Sequence, residues 1–190
     1  MNIYKSCPTL ENDKYILRFV FDEDLDDLLK VYSDIKAVPL FNIDNCHGDD
    51  FYYTTKERMK QAMDFWKLAY DNGWFVRFSI VDKESNEVIG TIEEFLRDEK
   101  DYFTNCGLLR LDLRSDYERA SEIKSIMSLI DILSFDLFGC KMVATKAIPS
   151  AIERIKALRA EGFILSHEPL VGHDGTKYYD YYVLKKDNII

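Results

Sequence analysis

The sequence predicts an α+β fold, and three observations carry that reading. The first is the stretch from Cys106 to Phe138. An apolar run (Leu108, Leu109, Leu111, Leu113) passes through the polar turn 114–120 into apolar positions at Ile123, Ile126, Met127, Ile130, Leu133 and Leu137, the three–four spacing of one long helix with a single buried face. The second is Trp74–Val81, where polar and apolar residues alternate. The polar turn Asp82–Glu87 and a further extended run, Val88–Leu96, complete an antiparallel hairpin. The third is the order of elements: strands pair locally, a strand feeds a helix, and no repeat, low-complexity tract or linker interrupts the chain.

The elements follow in order. Tyr15–Phe21 reads as a first strand, and Asp22 or Asp24 caps a helix that carries Leu25, Leu28, Leu29 and Tyr32. The acidic run Asp22–Asp27 is expected to be a solvated helix start, because carboxylates favour the positive end of the helix dipole. Pro39 ends this unit, and 40–53 is loop-like and aromatic. Thr54 with Glu57 makes a capping box for a second helix presenting Met59, Met63, Trp66 and Tyr70, stopped at Asn72–Gly73. In the hairpin, Arg77 and Ser79 face away from Val76, Phe78 and Ile80. Met142–Ile148 is another strand. A helix with Ile152, Ile155 and Leu158 on its apolar side follows, ended by Gly162. Two last strands, Phe163–His167 and Lys177–Lys185, bracket the turn Val171–Gly175. The prediction is a mixed, mostly antiparallel sheet of six to seven strands flanked by about four helices.

Composition narrows the function. The 190 residues are 47% hydrophobic and 14% aromatic, enough for one domain, 1–190, with a substantial core. A net charge of −9, from 25 basic and 34 acidic residues, argues against nucleic acid or an anionic membrane as partner and favours cationic small molecules or basic peptides. No apolar stretch approaches the roughly 18 residues of a membrane span. Met1–Pro8 lacks the apolar run of a signal peptide, so a cytoplasmic protein is expected. Cys7, Cys46, Cys106 and Cys140 are scattered, which predicts neither a disulfide framework nor a zinc site. Cys46–His47 beside Asp49 and Asp50 has no second cluster at ligand spacing and reads as a surface loop. His167 and His173 also lie in polar sequence. No metal is expected.

A strand that turns tightly into a helix exposes unpaired backbone N–H groups, and such a helix start attracts anions. This arrangement, with its neighbours, resembles the GNAT superfamily of N-acyltransferases, and within it the subgroup that acetylates ribosomal-protein N-termini. The resemblance runs over nearly the whole chain. It is carried by Tyr15-Ile-Leu-Arg-Phe, by Leu28–Asp34, by Glu87-Val-Ile-Gly-Thr-Ile92, by the helix end Ala157–Phe163 and by Lys177–Leu184 with Asp180. The stretch matching the family's glycine-bearing pyrophosphate loop, Glu118–Ile123, has no glycine and carries Glu118 and Glu122. Leu158 stands where many members place a tyrosine acid, and Ser150 or Ala151 where an asparagine is common.

The resemblance implies an acyltransferase in which a primary amine, of a peptide N-terminus or a small molecule, attacks the thioester of acetyl-CoA directly. Such chemistry needs N–H groups for the oxyanion, a base and an acid. On that basis the backbone of Leu111, Asp112 and Leu113 meets pantetheine and oxyanion, provided that this strand splays from the next. Arg114, Arg119, Ala120, Ser121 and Lys124 meet the pyrophosphate. Glu93 or Glu94 is the base, one of them lining the central cleft, with Asp112 a second candidate. Tyr117 or Ser150 is the acid. The competing readings are solvated strand-end glutamates, a cap and a turn residue. The alternative function is a GNAT-fold binding or regulatory module impaired in catalysis. Monomer and homodimer both remain open, with the aromatic strand Tyr178–Val183 a candidate edge for association.

Overall fold

The computed structural model describes residues 3–188. Two strands, β1 (Leu10–Glu11) and β2 (Tyr15–Phe19), pair around Asn12, whose side chain accepts from the Lys14 and Tyr15 amides at 2.9 Å each. A short 3-10 turn leads to α1 (Leu25–Tyr32), and a long loop to α2 (Lys56–Asp71). The hairpin β3 (Val76–Asp82) and β4 (Val88–Arg97) precedes β5 (Cys106–Leu113), α3 (Ala120–Met127), α4 (Asp131–Phe138) and β6 (Met142–Lys146). The chain closes with α5 (Ile152–Ala160), β7 (Ile164–Leu165), β8 (Leu170–Val171), β9 (Lys177–Tyr178) and β10 (Tyr181–Lys185).

Eight strands form one sheet in the order β1-β2-β3-β4-β5-β6-β10-β7, antiparallel throughout except for the parallel pair β5–β6. The strands β8 and β9 make a separate small ribbon. Side-chain alternation divides the core between the two faces. Phe78, Ile80, Ile92, Leu109 and Leu111 pack against Ile123, Ile126 and Met127 on one side. Val81 and Val88 meet Leu28, Val31, Met59, Met63 and Trp66 of α1 and α2 on the other. The β3–β4 register slips between Ile80 and Val81, and the extra residue sends Ile89 to the α3 side. Gly90 beside the slip is required by close approach: a Cβ there would lie 2.4 Å from the Asp112 carbonyl oxygen.

The α+β class and the mixed, mostly antiparallel sheet match expectation, and several local details differ. The long helix predicted from 123 to 137 is two, broken over 128–130. There Leu129 and Ile130 donate to carbonyls three residues back, and the Ser128 hydroxyl takes the Ser125 carbonyl at 2.9 Å, competing with the helical ladder. Among the described residues, five α-helices therefore stand where about four are expected, and the main sheet has eight strands where six to seven are expected, the short β1 and β7 lying at its ends. Thr55, not Thr54, caps α2 by accepting from the Arg58 amide at 3.2 Å, so Glu57 makes no capping box. Asp24 is not a solvated cap. It is buried, takes both terminal nitrogens of Arg18 at 2.8 and 2.7 Å, and also accepts from the Phe21 amide and Ser79. Burial opposes its ionisation, but these donors outweigh burial and hold its carboxyl below the ordinary range. Leu158 is buried as expected, but Ile152 is exposed, and α5 buries Arg154 and Ala157 beside Leu158. The last strand is interrupted at Tyr179–Asp180, where Asp180 has φ +67°. β10 is flanked by β6 and β7, so Tyr181–Val183 lies inside the sheet and offers no edge.

Candidate functional site

The parallel β5–β6 ladder runs from Cys106 opposite Met142 to Leu109 opposite Thr145 and stops there, while β5 continues to Leu113 along β4. The two strands part beyond Leu109, as the resemblance required. Parity then decides which groups face the gap. Arg114 donates to the Ile89 carbonyl at 2.9 Å, so the amides of Arg114, Asp112 and Arg110 turn to β4, and those of Leu111 and Leu113 turn to the gap. The Asp112 amide is thus unavailable to a ligand there, because it belongs to the β4 ladder.

The gap is filled from α5. The guanidinium of Arg154, itself buried, donates to the Leu111 carbonyl at 2.7 Å and the Leu40 carbonyl at 3.0 Å, and grips both oxygens of Glu118 through Nε at 3.0 and 3.1 Å. Only about 10 Å³ remains beside Leu111, Ile123, Thr145, Arg154 and Leu158, the space of about one water. Glu153, one residue earlier on α5, accepts from the Ala120 amide at 3.0 Å and so caps the start of α3. No residue from 114 to 123 has positive φ.

The remaining residues expected around a pyrophosphate do not converge. Arg114 is paired with Glu87 at 3.1 Å and Asp116 at 2.8 Å, and Lys124 with Glu161 at 3.3 Å. Arg119 points to solvent beside Glu122, and Ser121 is exposed. Glu122 accepts from Tyr15 and Lys14, which draws it toward β2. The Tyr117 hydroxyl donates to Asp82 at 2.8 Å, and Ser150 is an exposed turn residue. The acid candidates are therefore not assembled at the gap.

The polar centre of the molecule lies on the α1–α2 face. Arg77 donates through Nη1 to Asp112 (2.8 Å), the Tyr32 hydroxyl (2.8 Å) and Thr91 (3.0 Å), and through Nη2 to Glu93. Arg110 holds the other Glu93 oxygen at 3.0 Å. Burial would raise the Glu93 pKa, but Arg77 and Arg110 outweigh it and keep the carboxyl below the usual range. Glu94, one residue on, faces the opposite side of the sheet, as alternation requires. Among the described residues neither of its buried oxygens has a partner within hydrogen-bond distance, and burial, opposed only by the Ser134 hydroxyl, pushes its pKa up to about 8. Of the two glutamates, Glu93 is the one that lines a cavity.

That cavity measures about 660 Å³ and lies between α2, the loop 45–53 and strands β3–β5. Its walls include Phe51, Tyr53, Phe65, Trp66, Trp74, Phe75 and Phe95, together with Arg58, Arg77 and Arg110. A smaller space of about 220 Å³ adjoins it through Asn45, Phe95, Arg110 and His173. The guanidinium of Arg77 lies 4.4 Å above Trp66, and that of Arg58 lies 4.2 Å above Tyr53. Cys46, expected on a surface loop, is half-buried with Sγ 3.3 Å from Arg110. Among the described residues, no three His, Cys, Asp or Glu side chains are placed to hold a metal ion, and no helix is long and apolar enough to cross a membrane.

Sequence reasoning missed Arg77, Arg110, Arg154 and Glu118 as structural charges. Arg77 and Arg110 sit within apolar strands. Arg154 occupies the buried stripe Ala151–Arg154–Ala157–Leu158 at helical spacing, the signal that marked it.

No protein-family model matches the sequence, and no curated protein matches it. Solved structures do. RimJ of Mycobacterium smegmatis, determined in complex with CoA-disulfide, superposes with a TM-score of 0.72 over 96% of this chain and 88% of its own, at 12% identity. The GNAT-family acetyltransferase of Bacillus anthracis gives 0.69 over 95% and 100%, at 11% identity. The ribosomal-protein-S5-alanine acetyltransferase of Vibrio fischeri gives 0.62 over 95% and 98%, at 18% identity. The likeness is one of backbone architecture along almost the entire chain, and this protein has the GNAT fold.

Proposed function

We propose that this protein is a ligand-binding module built on the GNAT fold, with the acyl-donor cleft closed by its own side chains. The observation that carries the proposal is the Arg154 guanidinium between the parted strands, bonded to the Leu111 carbonyl and to Glu118. The residues there do not fit an acyl-CoA. Pantetheine would have to displace a buried ion pair, and a diphosphate at the start of α3 would meet Glu118 and Glu153 where it needs open amides. Nor is a base in place: Glu93 is held ionised by two guanidiniums, which makes it a poor proton acceptor, Asp112 is fully buried and taken by Arg77 and Tyr32, and Glu94 is sealed on the other face. The fold does leave the aromatic cavity accessible on the α1–α2 face of the sheet.

A second reading, an N-acetyltransferase acting on a primary amine, is favoured by the parting of β5 from β6, which turns the Leu113 amide into the gap. One measurement separates the two. A donor that binds the native state stabilises it by about 2.7 kcal/mol at 100 times its dissociation constant, which thermal unfolding registers as an upshift. With millimolar acetyl-CoA we expect the unfolding temperature of the wild-type protein to stay where it is. An upshift, or release of CoA thiol in the presence of a peptide amine, would return the protein to the transferases.

A further inference from the structure

We infer that the cavity takes a small planar aromatic acid, a ring system bearing a carboxylate, and selects it over the corresponding amine. This rests on the binding-module reading above and adds the ligand's chemistry.

Charge is the first argument. The walls carry three guanidiniums, Arg58, Arg77 and Arg110, and two carboxylates, Asp49 and Glu93, with Asp112 behind Arg77 as the third, in a chain whose overall charge is −9. The cavity is thus charge-balanced, and the preference for cations that composition alone suggests does not extend to it.

Hydrogen-bonding capacity is the second. Every carboxylate oxygen in the wall is engaged. Asp49 accepts the Phe51 amide on one oxygen, and Tyr53 and Arg58 on the other, while Glu93 is shared between Arg77 and Arg110. The guanidinium donors are not used up. Arg58, 40% exposed, bonds only through Nη2, which leaves Nε and Nη1 without a partner among the described residues. The Nε of Arg77 also has no partner among the described residues, but it is buried, so the spare donors within a ligand's reach are those of Arg58. A ligand therefore meets spare charged donors at Arg58 and no spare carboxylate in the wall, which suits a carboxylate and disfavours an ammonium.

The aromatic walls are the third. Tyr53 and Trp66 already carry a guanidinium over one face, so an incoming cation finds those ring faces taken and like charges beside them. Phe65 and Trp74 stand about half exposed at the mouth with centroids 6.4 Å apart, and offer open rings for a planar ligand to stack upon.

Isothermal titration calorimetry of the wild-type protein with indole-3-acetate and with tryptamine tests this, with acetyl-CoA as a third arm. We expect indole-3-acetate to bind at least about tenfold more tightly than tryptamine, and Arg58→Gln, a change at an exposed side chain, to remove most of that advantage. Tryptamine binding as tightly as the acid, neither probe binding at millimolar concentration, or an acid affinity indifferent to Arg58→Gln would each overturn the inference. Acetyl-CoA binding alongside selective acid binding would sink the module reading and leave the acid site standing. Silence from the acid and from acetyl-CoA would sink the acid site alone.

Discussion

Glu94 gives the most quantitative test of the electrostatics. Its carboxyl is completely buried on β4, neither oxygen has a partner within hydrogen-bond distance among the described residues, and burial, only partly offset by the nearby Ser134 hydroxyl, raises its pKa from 4.5 to about 8. The folded protein therefore retains a proton that the unfolded chain releases. Below about pH 4.5 both states are protonated and the group's contribution is fully present. As pH rises toward 8 the contribution is lost at about 1.4 kcal/mol per pH unit, about 5 kcal/mol over the interval. Glutamine at this position cannot ionise, so any packing cost of Glu94→Gln is constant with pH. Urea unfolding of both proteins between about pH 5 and pH 8 isolates the effect, since every other titrating group cancels in the difference. The variant should gain on the wild type by about 4 kcal/mol across that range. A difference that stays flat to within about 1 kcal/mol would mean that Glu94 is solvated or partnered, and the reasoning would fail.

The cleft and the sheet supply further tests. Arg154→Ala strands the Glu118 carboxylate and should cost about 3–5 kcal/mol in urea unfolding, whereas the double change Arg154→Met with Glu118→Leu should recover most of that loss. Gly90→Ala forces a Cβ to within 2.4 Å of the Asp112 carbonyl and should lower stability by roughly 1–3 kcal/mol in thermal unfolding, by prising β4 from β5.

Much of the fold was legible because its signals are periodic and local. The alternation in Trp74–Val81 placed Arg77 opposite Phe78, and the three–four spacing of Ile123, Ile126 and Met127 marked the face of α3 that is buried. The break at 128–130 was not legible, since apolar spacing continues across it and only the serine hydroxyls intervene. The candidate site was harder to read for a physical reason. Whether a glutamate is a base or half of an ion pair depends on partners that lie far away in sequence. Glu93 is neutralised from β3 and β5, and Glu118 from α5, 36 residues on. Alternation did place Glu93 and Glu94 on opposite faces, but it could not say that arginines had claimed the accessible one.

The shortness of the parallel β5–β6 ladder has a consequence for the molecule as a whole. Everything from β1 to β5 is joined by antiparallel pairing, and so are β6, β10 and β7 among themselves. Within the sheet the two blocks share one seam of four residue pairs, Cys106–Leu109 against Met142–Thr145, and past it Arg154 bridges from α5 to β5 while Asp44 ties the loop 40–53 to Lys146 and Tyr181. The side chain that fills the gap between β5 and β6 thus also fastens α5 to the Leu40 loop, to β5 and to Glu118.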